Sequence, residues 1–101
     1  MRLLFIGDIV GTPGVQFVRR AVPILRGREK LDLVIANAEN ASSGAGLYPN
    51  TLKQLASAQI DAFTMGDHIY KKVELITALE SAAPIVKPAN FPTSAPGKEF
   101  V

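Results

Sequence analysis

Three mostly apolar runs, each followed by a polar segment with a carboxylate, constrain the fold of this chain most strongly. The runs cover residues 2–6, 31–37 and 60–65. Runs of this kind are typical of strands buried on both faces of a parallel sheet. The segments between them carry apolar residues at helical spacing. The alternation therefore predicts an α/β fold, in which right-handed crossovers connect the strands of a parallel β-α-β-α-β-α-β sheet.

The first predicted helix begins in a glycine-rich loop. Thr12 precedes Pro13, which is the pattern of an N-cap followed by proline in the first helical turn. Apolar residues continue at helical spacing as far as Leu25. Pro23 is expected to bend this helix or end it early, and Gly27 is a reasonable terminator.

The remaining elements are predicted in the same way. Helices are expected over about 50–58 and 71–82, and a short strand over 84–88. The prolines of that strand favour an edge position, because proline cannot donate to a ladder. A loop is expected over 89–97, and residues 98–101 resemble the opening of another strand, in which the chain stops.

Composition limits the classes of protein to which the chain can belong. A length of 101 residues with 48% apolar and 20% charged residues fits one globular domain. No apolar run approaches the ~20 residues of a membrane span. The absence of cysteine is compatible with a cytoplasmic location. The net charge of +2 is scattered, so nucleic-acid binding is not indicated, and Arg19 and Arg20 are interpreted as solvated helix charges.

Five polar residues follow the predicted strands and form the main functional signal: Asp8, Glu39, Asn40, Asp67 and His68. The carboxyl ends of parallel strands meet at one edge of a sheet, where ligands bind in open α/β folds. Carboxylates brought together there would repel one another, and a divalent cation would relieve that repulsion. The spacing therefore favours metal binding, with phosphate-ester chemistry as its leading use.

Each residue also has a simpler interpretation. Asp8 alone is an ordinary capping or turn residue, as is Asn40. Glu39 alone could be a surface charge, and a single histidine such as His68 is often a hydrogen-bonded packing residue. The loop over 7–14 lacks the spacing of either common phosphate-binding loop. Only the joint occurrence of these residues favours a site.

Four motifs together resemble a known family, the YmdB-like branch of the calcineurin-type metallophosphoesterases. They are GDIVGTPG at 7–14, VIANAENA at 34–41, TMGDH at 64–68 and PANFP at 88–92. They occur in order and span the whole chain. The resemblance implies half of an αββα metallophosphoesterase sandwich, a centre of two iron or manganese ions, and hydrolysis of phosphodiesters such as 2′,3′-cyclic nucleotides.

The same resemblance implies a role for each site residue. Asp8, Glu39 and Asn40 would bind one metal ion. Glu39 would bridge to a second ion, which Asp67 would also bind. His68 would donate a proton to the leaving oxygen. A loop bearing Asn90 would lie near the site.

Two departures from the family pattern shape the expectations for this chain. The family has asparagine at the position of Asp67. The family chain is also more than twice as long and supplies further histidine ligands, whereas this sequence has one histidine. We therefore expect residues 1–101 to be the N-terminal half of the domain, cut within a strand that starts near Lys98.

Such a half-length chain should behave differently from a complete enzyme. Its oxygen ligands would favour magnesium, calcium or manganese. Alternatively, the incomplete site would hold no metal. We expect it to be weakly active or inactive on small phosphodiesters, and to associate with itself as a homo-oligomer. The sequence leaves two alternatives open: a non-catalytic regulatory or interaction domain that keeps the fold, and a metal-free, flavodoxin-like nucleotide-binding module.

Overall fold

A computed structural model describes residues 1–101 as a four-stranded parallel sheet with helices between the strands. The strands are β1 (Leu3–Ile6), β2 (Leu33–Asn37), β3 (Ala62–Thr64) and β4 (Ile85–Val86). The helices are α1 (Gly11–Arg28), α2 (Pro49–Ser57) and α3 (Ile76–Leu79), the last preceded by a 3-10 turn over Val73–Leu75. The predicted α/β class and parallel sheet are confirmed.

The strands lie in the order β1-β2-β3-β4, so every strand neighbours the next one along the chain. The register pairs Phe5 with Ile35 and Ile35 with Ala62. Because all crossovers run in the same direction, right-handed connections place the helices on one face of the sheet. The position predicted for the last strand is confirmed, since β4 is at an edge of this sheet.

The core lies between the sheet and these helices. Val34, Ala36 and Phe63 point into it from β2 and β3, and each is at most 1% exposed. They pack in one cluster with residues of all three helices, among them Val15, Val18, Val22, Leu52, Leu55 and Leu79. The other face of the sheet remains open, where Leu3 and Phe5 are about half exposed at 49% and 55%.

Helix α1 differs from the prediction at both ends. Thr12 is not the N-cap: the helix begins at Gly11, after Val10, and no side chain caps it. Pro23 does not end the helix, which continues to Arg28. The loss of one backbone hydrogen bond at proline is offset here by the buried apolar face of the helix.

No helix of this chain combines the length and apolar character needed to cross a membrane.

The third predicted helix is wrong in extent. In place of a helix over 71–82, the chain forms turns and then only Ile76–Leu79 as α-helix. The turns are held by backbone hydrogen bonds, including Ile69 N–H to Gly66 O at 3.1 Å and Lys71 N–H to His68 O at 3.1 Å. They bury Ile69 without a helix.

Residues 98–101 do not form the predicted strand. A single backbone bond joins this segment to the residue after β4, from Lys87 N–H to Lys98 O at 2.8 Å. Lys87 itself is buried, and its ammonium group donates to the carbonyl oxygens of Pro92, Thr93 and Ala95 at 2.9, 3.2 and 2.7 Å. The charged side chain therefore fixes the course of the loop that follows β4.

Candidate metal centre

The loops after β1, β2 and β3 meet at the carboxyl edge of the sheet. Asp8 follows β1, Glu39 and Asn40 follow β2, and Asp67 and His68 follow β3. Backbone hydrogen bonds join the loops to one another: Gly11 N–H donates to Asn40 O at 3.0 Å, and Ala38 N–H donates to Thr64 O at 3.0 Å. The strand register therefore continues into the site and sets the relative positions of the polar side chains.

Glu39 lies at the centre of this group. Its side chain is 16% exposed, and Oε2 lies 3.4 Å from the backbone N–H of His68 and 3.8 Å from His68 Nδ1. The carboxylate packs directly against Gly66, where any Cβ would overlap its oxygen atoms. Glycine at position 66 therefore creates the space that Glu39 occupies.

Asn40 links the first and third loops. Its amide nitrogen donates to Asp8 Oδ1 at 2.8 Å, and its amide oxygen lies 2.5 Å from His68 Nδ1. This orientation makes Nδ1 the protonated ring nitrogen that donates to the amide oxygen. A continuous chain of contacts therefore runs from Asp8 through Asn40 to His68.

Asp67 completes the cluster from the solvent side. It is 82% exposed, and its Oδ2 lies 3.9 Å from His68 Nε2. Glu39, Asp67 and His68 each offer a ligand atom within 4.8 Å of the others. All five predicted site residues thus lie at one edge, with Asp8 joined to the others through Asn40 rather than directly.

The donor set fits a divalent cation. Glu39 and Asp67 form no ion pair with lysine or arginine, and His68 is the only basic group in contact with them. Carboxylate and amide oxygens suit hard cations, and an imidazole nitrogen extends the range to transition metals. The sequence interpretation gave His68 only the role of a proton donor, whereas its position also places it among the potential ligands.

Two contributors to the site were not assigned from the sequence. Gly66 lies within the TMGDH motif, but its closeness to Glu39 depends on the β2–β3 register. Tyr70 donates from its hydroxyl to Pro96 O at 2.6 Å, and its ring lies 6.1 Å from that of Phe91. Burial raises the pKa of Tyr70, which keeps the hydroxyl protonated as a donor. The loop carrying Asn90 is thereby attached to the segment that bears His68.

Comparison with known proteins agrees with this architecture. The family model of the YmdB-like proteins matches residues 4–101. The 2′,3′-cyclic-nucleotide 2′-phosphodiesterase of Bacillus subtilis (strain 168) is 43% identical over 98 residues, which are 97% of this chain and 37% of that protein.

Two solved structures have the same fold over almost the whole chain. The crystal structure of a hypothetical protein from Thermus thermophilus has a TM-score of 0.91 at 43% identity, and the match covers 97% of this chain and 38% of that one. A novel phosphatase of Mycoplasma pneumoniae has a TM-score of 0.87 at 31% identity, and the match covers 95% and 36% respectively. This chain therefore spans little more than a third of the length of the proteins it matches.

The match extends from β1 through the loop after β4 and includes all four motifs on which the resemblance was based. The predicted family is confirmed, and its relatives are named as hydrolases of phosphoesters. This chain belongs to the family of YmdB-like proteins.

Proposed function

We propose that this chain provides part of the active site of a metal-dependent phosphodiesterase that acts on small phosphodiesters such as 2′,3′-cyclic nucleotides. The substrate class is supported by the name of the Bacillus subtilis relative. The metal dependence is supported by the cluster of Glu39, Asp67 and His68 within 4.8 Å. That cluster is the observation that carries the proposal, because uncompensated carboxylates converge at the edge where α/β folds bind ligands.

The proposed metal ligands are Asp8, Glu39, Asn40 and Asp67. Glu39 is the natural bridging ligand, since it lies between the loops and offers two oxygens. Two iron or manganese ions are proposed for the complete family site, and magnesium, calcium or manganese for the oxygen-rich part provided here. When bound, such ions supply an activated water and neutralise charge on the phosphate.

His68 is the proposed proton donor to the leaving oxygen. Its Nδ1 is held by the amide oxygen of Asn40 at 2.5 Å, which orients the ring and leaves Nε2 for the substrate. Donation from Nε2 requires the imidazolium form, which Glu39 and Asp67 face from two sides. Proton transfer to the leaving group assists departure of the alkoxide, which is otherwise a poor leaving group.

Titration with Mn²⁺ followed by hydrolysis of 2′,3′-cyclic AMP tests this proposal. The 101-residue chain should bind Mn²⁺ and show weak turnover or none, since it provides few nitrogen ligands, and Glu39→Ala should abolish Mn²⁺ binding and any turnover. Glu29→Ala is the matched control, because that carboxylate pairs with arginines away from the site. Absence of Mn²⁺ binding would contradict the metal site. Turnover that survives Glu39→Ala would contradict a catalytic role for this site.

We also propose that the chain associates with itself through the open face of its sheet. Leu3 and Phe5 are half exposed there, and burying such a side chain fully contributes about 1.5–3 kcal/mol. Sedimentation velocity at high micromolar concentration should show a dimer, and Phe5→Gln should shift it towards monomer. A monomeric wild type would exclude this association.

A further inference from the structure

A polar cavity of about 340 Å³ lies between α1 and α2. Its wall includes Thr12, Gln16 and Arg19 from α1, Ser43 from the loop after β2, and Thr51 and Gln54 from α2. The segments that line the cavity adjoin the segments of the metal centre in the sequence. Ser43 follows Asn40 by three residues, and Thr12 adjoins Gly11, whose N–H donates to Asn40 O at 3.0 Å. The loop after β2 therefore borders the cavity and also carries Glu39 and Asn40, and helix α1, which forms the opposite wall, directly follows the loop that carries Asp8.

The charge around this cavity is positive, in contrast to the metal centre. Neither α1 nor α2 contains an aspartate or glutamate. The other arginines near the end of α1 have carboxylate partners, since Arg26 pairs with Asp61 and Arg28 pairs with Glu29. Arg19 has no such partner, and it shares a second depression with Gln16 and Arg20. An unpaired guanidinium in a wall of hydroxyl and amide groups is suited to a phosphate.

An aromatic ring lies at the same place. Tyr48 also lines the cavity and is 40% exposed. The ammonium of Lys72 lies 5.1 Å from the centre of its ring. The backbone N–H of Tyr48 donates to Ser42 Oγ at 2.8 Å, which ties the ring to the loop after β2. An exposed aromatic ring and an arginine that line one cavity are the usual combination for holding a base and a phosphate of one nucleotide.

We propose that this cavity binds a phosphate-bearing nucleotide that continues from the phosphodiester held at the metal centre. Arg19 would contact the phosphate, Gln16 and Ser43 would supply further hydrogen bonds, and Tyr48 would stack with the base. This inference rests on the proposed phosphodiesterase function, and it extends the substrate class from isolated cyclic mononucleotides to short oligonucleotides. The scattered net charge did not reveal this, because only the folded chain shows that Arg26 and Arg28 pair with carboxylates while Arg19 does not.

Binding can be measured without metal, so failure of this inference is distinguishable from failure of the catalytic proposal. The probes are 5′-phosphorylated diadenylate, diadenylate without the terminal phosphate, and inorganic phosphate, each titrated by calorimetry and by amide chemical shifts. The phosphorylated dinucleotide should bind about tenfold more tightly than the other two. Its shifts should centre on Gln16, Arg19 and Ser43.

Two variants and a control complete the test. Arg19→Gln should remove the tenfold advantage of the terminal phosphate. Tyr48→Leu should lower the affinity for the phosphorylated dinucleotide and leave the affinity for inorganic phosphate unchanged. Lys53→Gln removes one positive charge from α2 at a residue that does not line the cavity. Its affinity for the phosphorylated dinucleotide should be within about twofold of that of the wild type.

Several outcomes would overturn the inference. If Arg19→Gln bound the phosphorylated dinucleotide as tightly as the wild type, or if Lys53→Gln lost as much affinity as Arg19→Gln, the binding would reflect diffuse attraction to a basic surface. Equal affinity for inorganic phosphate would show a simple anion site. Metal-dependent hydrolysis of 2′,3′-cyclic AMP alongside absent dinucleotide binding would refute the cavity alone and leave the proposed function standing.

Discussion

The two ends of the sheet use carboxylates in opposite ways. At the amino end, Arg26 donates to Asp61 Oδ2 at 2.7 Å and to the carbonyl oxygens of Gln59 and Asp32 at 2.7 and 3.1 Å. Asp61 also accepts from the N–H of Val34 at 2.8 Å. Arg26 and Asp61 neutralise each other there, so the cluster connects α1 to β2 and to the residue before β3.

The titration of Asp61 reflects this pairing. Desolvation by burial acts to raise its pKa, but the hydrogen bond from Val34 and the contact with Arg26 outweigh it. The pKa of Asp61 is therefore lowered from its ordinary value of 3.8. The folded state stabilises the ionised form of this carboxylate.

At the carboxyl end no such match exists. Glu39 and Asp67 share one histidine, and Asp8 is in contact with a neutral amide. A largely buried carboxylate such as Glu39, which no lysine or arginine of the fold compensates, favours a cation from outside the chain. Both clusters are rich in carboxylates, but only the structural cluster at the amino end contains its own counter-charge. The cluster at the carboxyl end contains no lysine or arginine, and this difference marks it as a candidate binding cluster.

Replacement of the central carboxylate should produce the largest effect. Glu39→Ala should weaken Mn²⁺ binding at least about 100-fold, because loss even of a residue that supports a ligand can cost 10–100-fold. The free energy of unfolding without metal should stay within about 0.5 kcal/mol, since the carboxylate has no strong internal partner. Calorimetric titration and urea denaturation measure the two quantities.

Glu29→Ala at the other end provides the contrast, because Glu29 pairs with Arg2 and Arg28 at 3.5 and 3.1 Å. It should leave Mn²⁺ binding unchanged. If Glu39→Ala lost stability and kept the metal, the distinction between the two ends would fail.

The reverse pattern is expected at the amino end. Arg26→Met should lower the free energy of unfolding by about 2 kcal/mol, because three hydrogen bonds of a half-buried guanidinium are lost. Mn²⁺ affinity should not change. Urea denaturation against Arg28→Met is the appropriate comparison, since that exposed pair contributes less than about 0.5 kcal/mol. Equal losses in both variants would show that the Arg26 cluster has no special role.

The fold could be predicted from the sequence wherever one pattern determined one element. The apolar runs located β1, β2 and β3 and indicated their parallel pairing, whereas the register of that pairing came only from the structure. Helix propensity misled at Pro23, where packing of α1 overcame a local breaker. It also misled over 71–82, where a 3-10 turn and a four-residue α-helix replace one long helix and Val73 is 67% exposed.

The candidate site was predictable as a set of residues and less so as a set of contacts. The parallel strand order places Asp8, Glu39 and Asp67 at one edge of the sheet, independently of the conformations of their side chains. The double contact of Asn40 with Asp8 and His68 depends on loop geometry that residue type does not encode. Long-range proximity likewise hid the role of Gly66, which only the β2–β3 register reveals.

A smaller effect is expected from the exposed ligand. Asp67→Asn keeps an oxygen donor and removes one negative charge, so Mn²⁺ affinity should fall about three- to tenfold while the ion becomes a stronger Lewis acid. The effect is modest because Asp67 is 82% exposed and solvent screens its charge. Titration of Mn²⁺ into both proteins measures it, with Glu74→Gln as a control for removal of a surface charge. Equal or tighter binding by the asparagine variant would contradict a ligand role.

The smallest effect concerns acid stability at the amino end. A carboxylate whose folded pKa is lowered contributes stability that is complete above its unfolded pKa and is lost as pH falls through the folded value. Between about pH 5 and pH 3, the urea midpoint of the wild type should therefore fall more steeply than that of Asp61→Asn. The difference should be small, because Asp61 is 36% exposed and its pairing is partly screened. In an Arg26→Met background the difference should shrink further, since the cation that lowers the pKa is gone. Parallel curves for wild type and Asp61→Asn would mean that this carboxylate is no better compensated than those at the metal centre, and the contrast between the two ends of the sheet would lose its electrostatic basis.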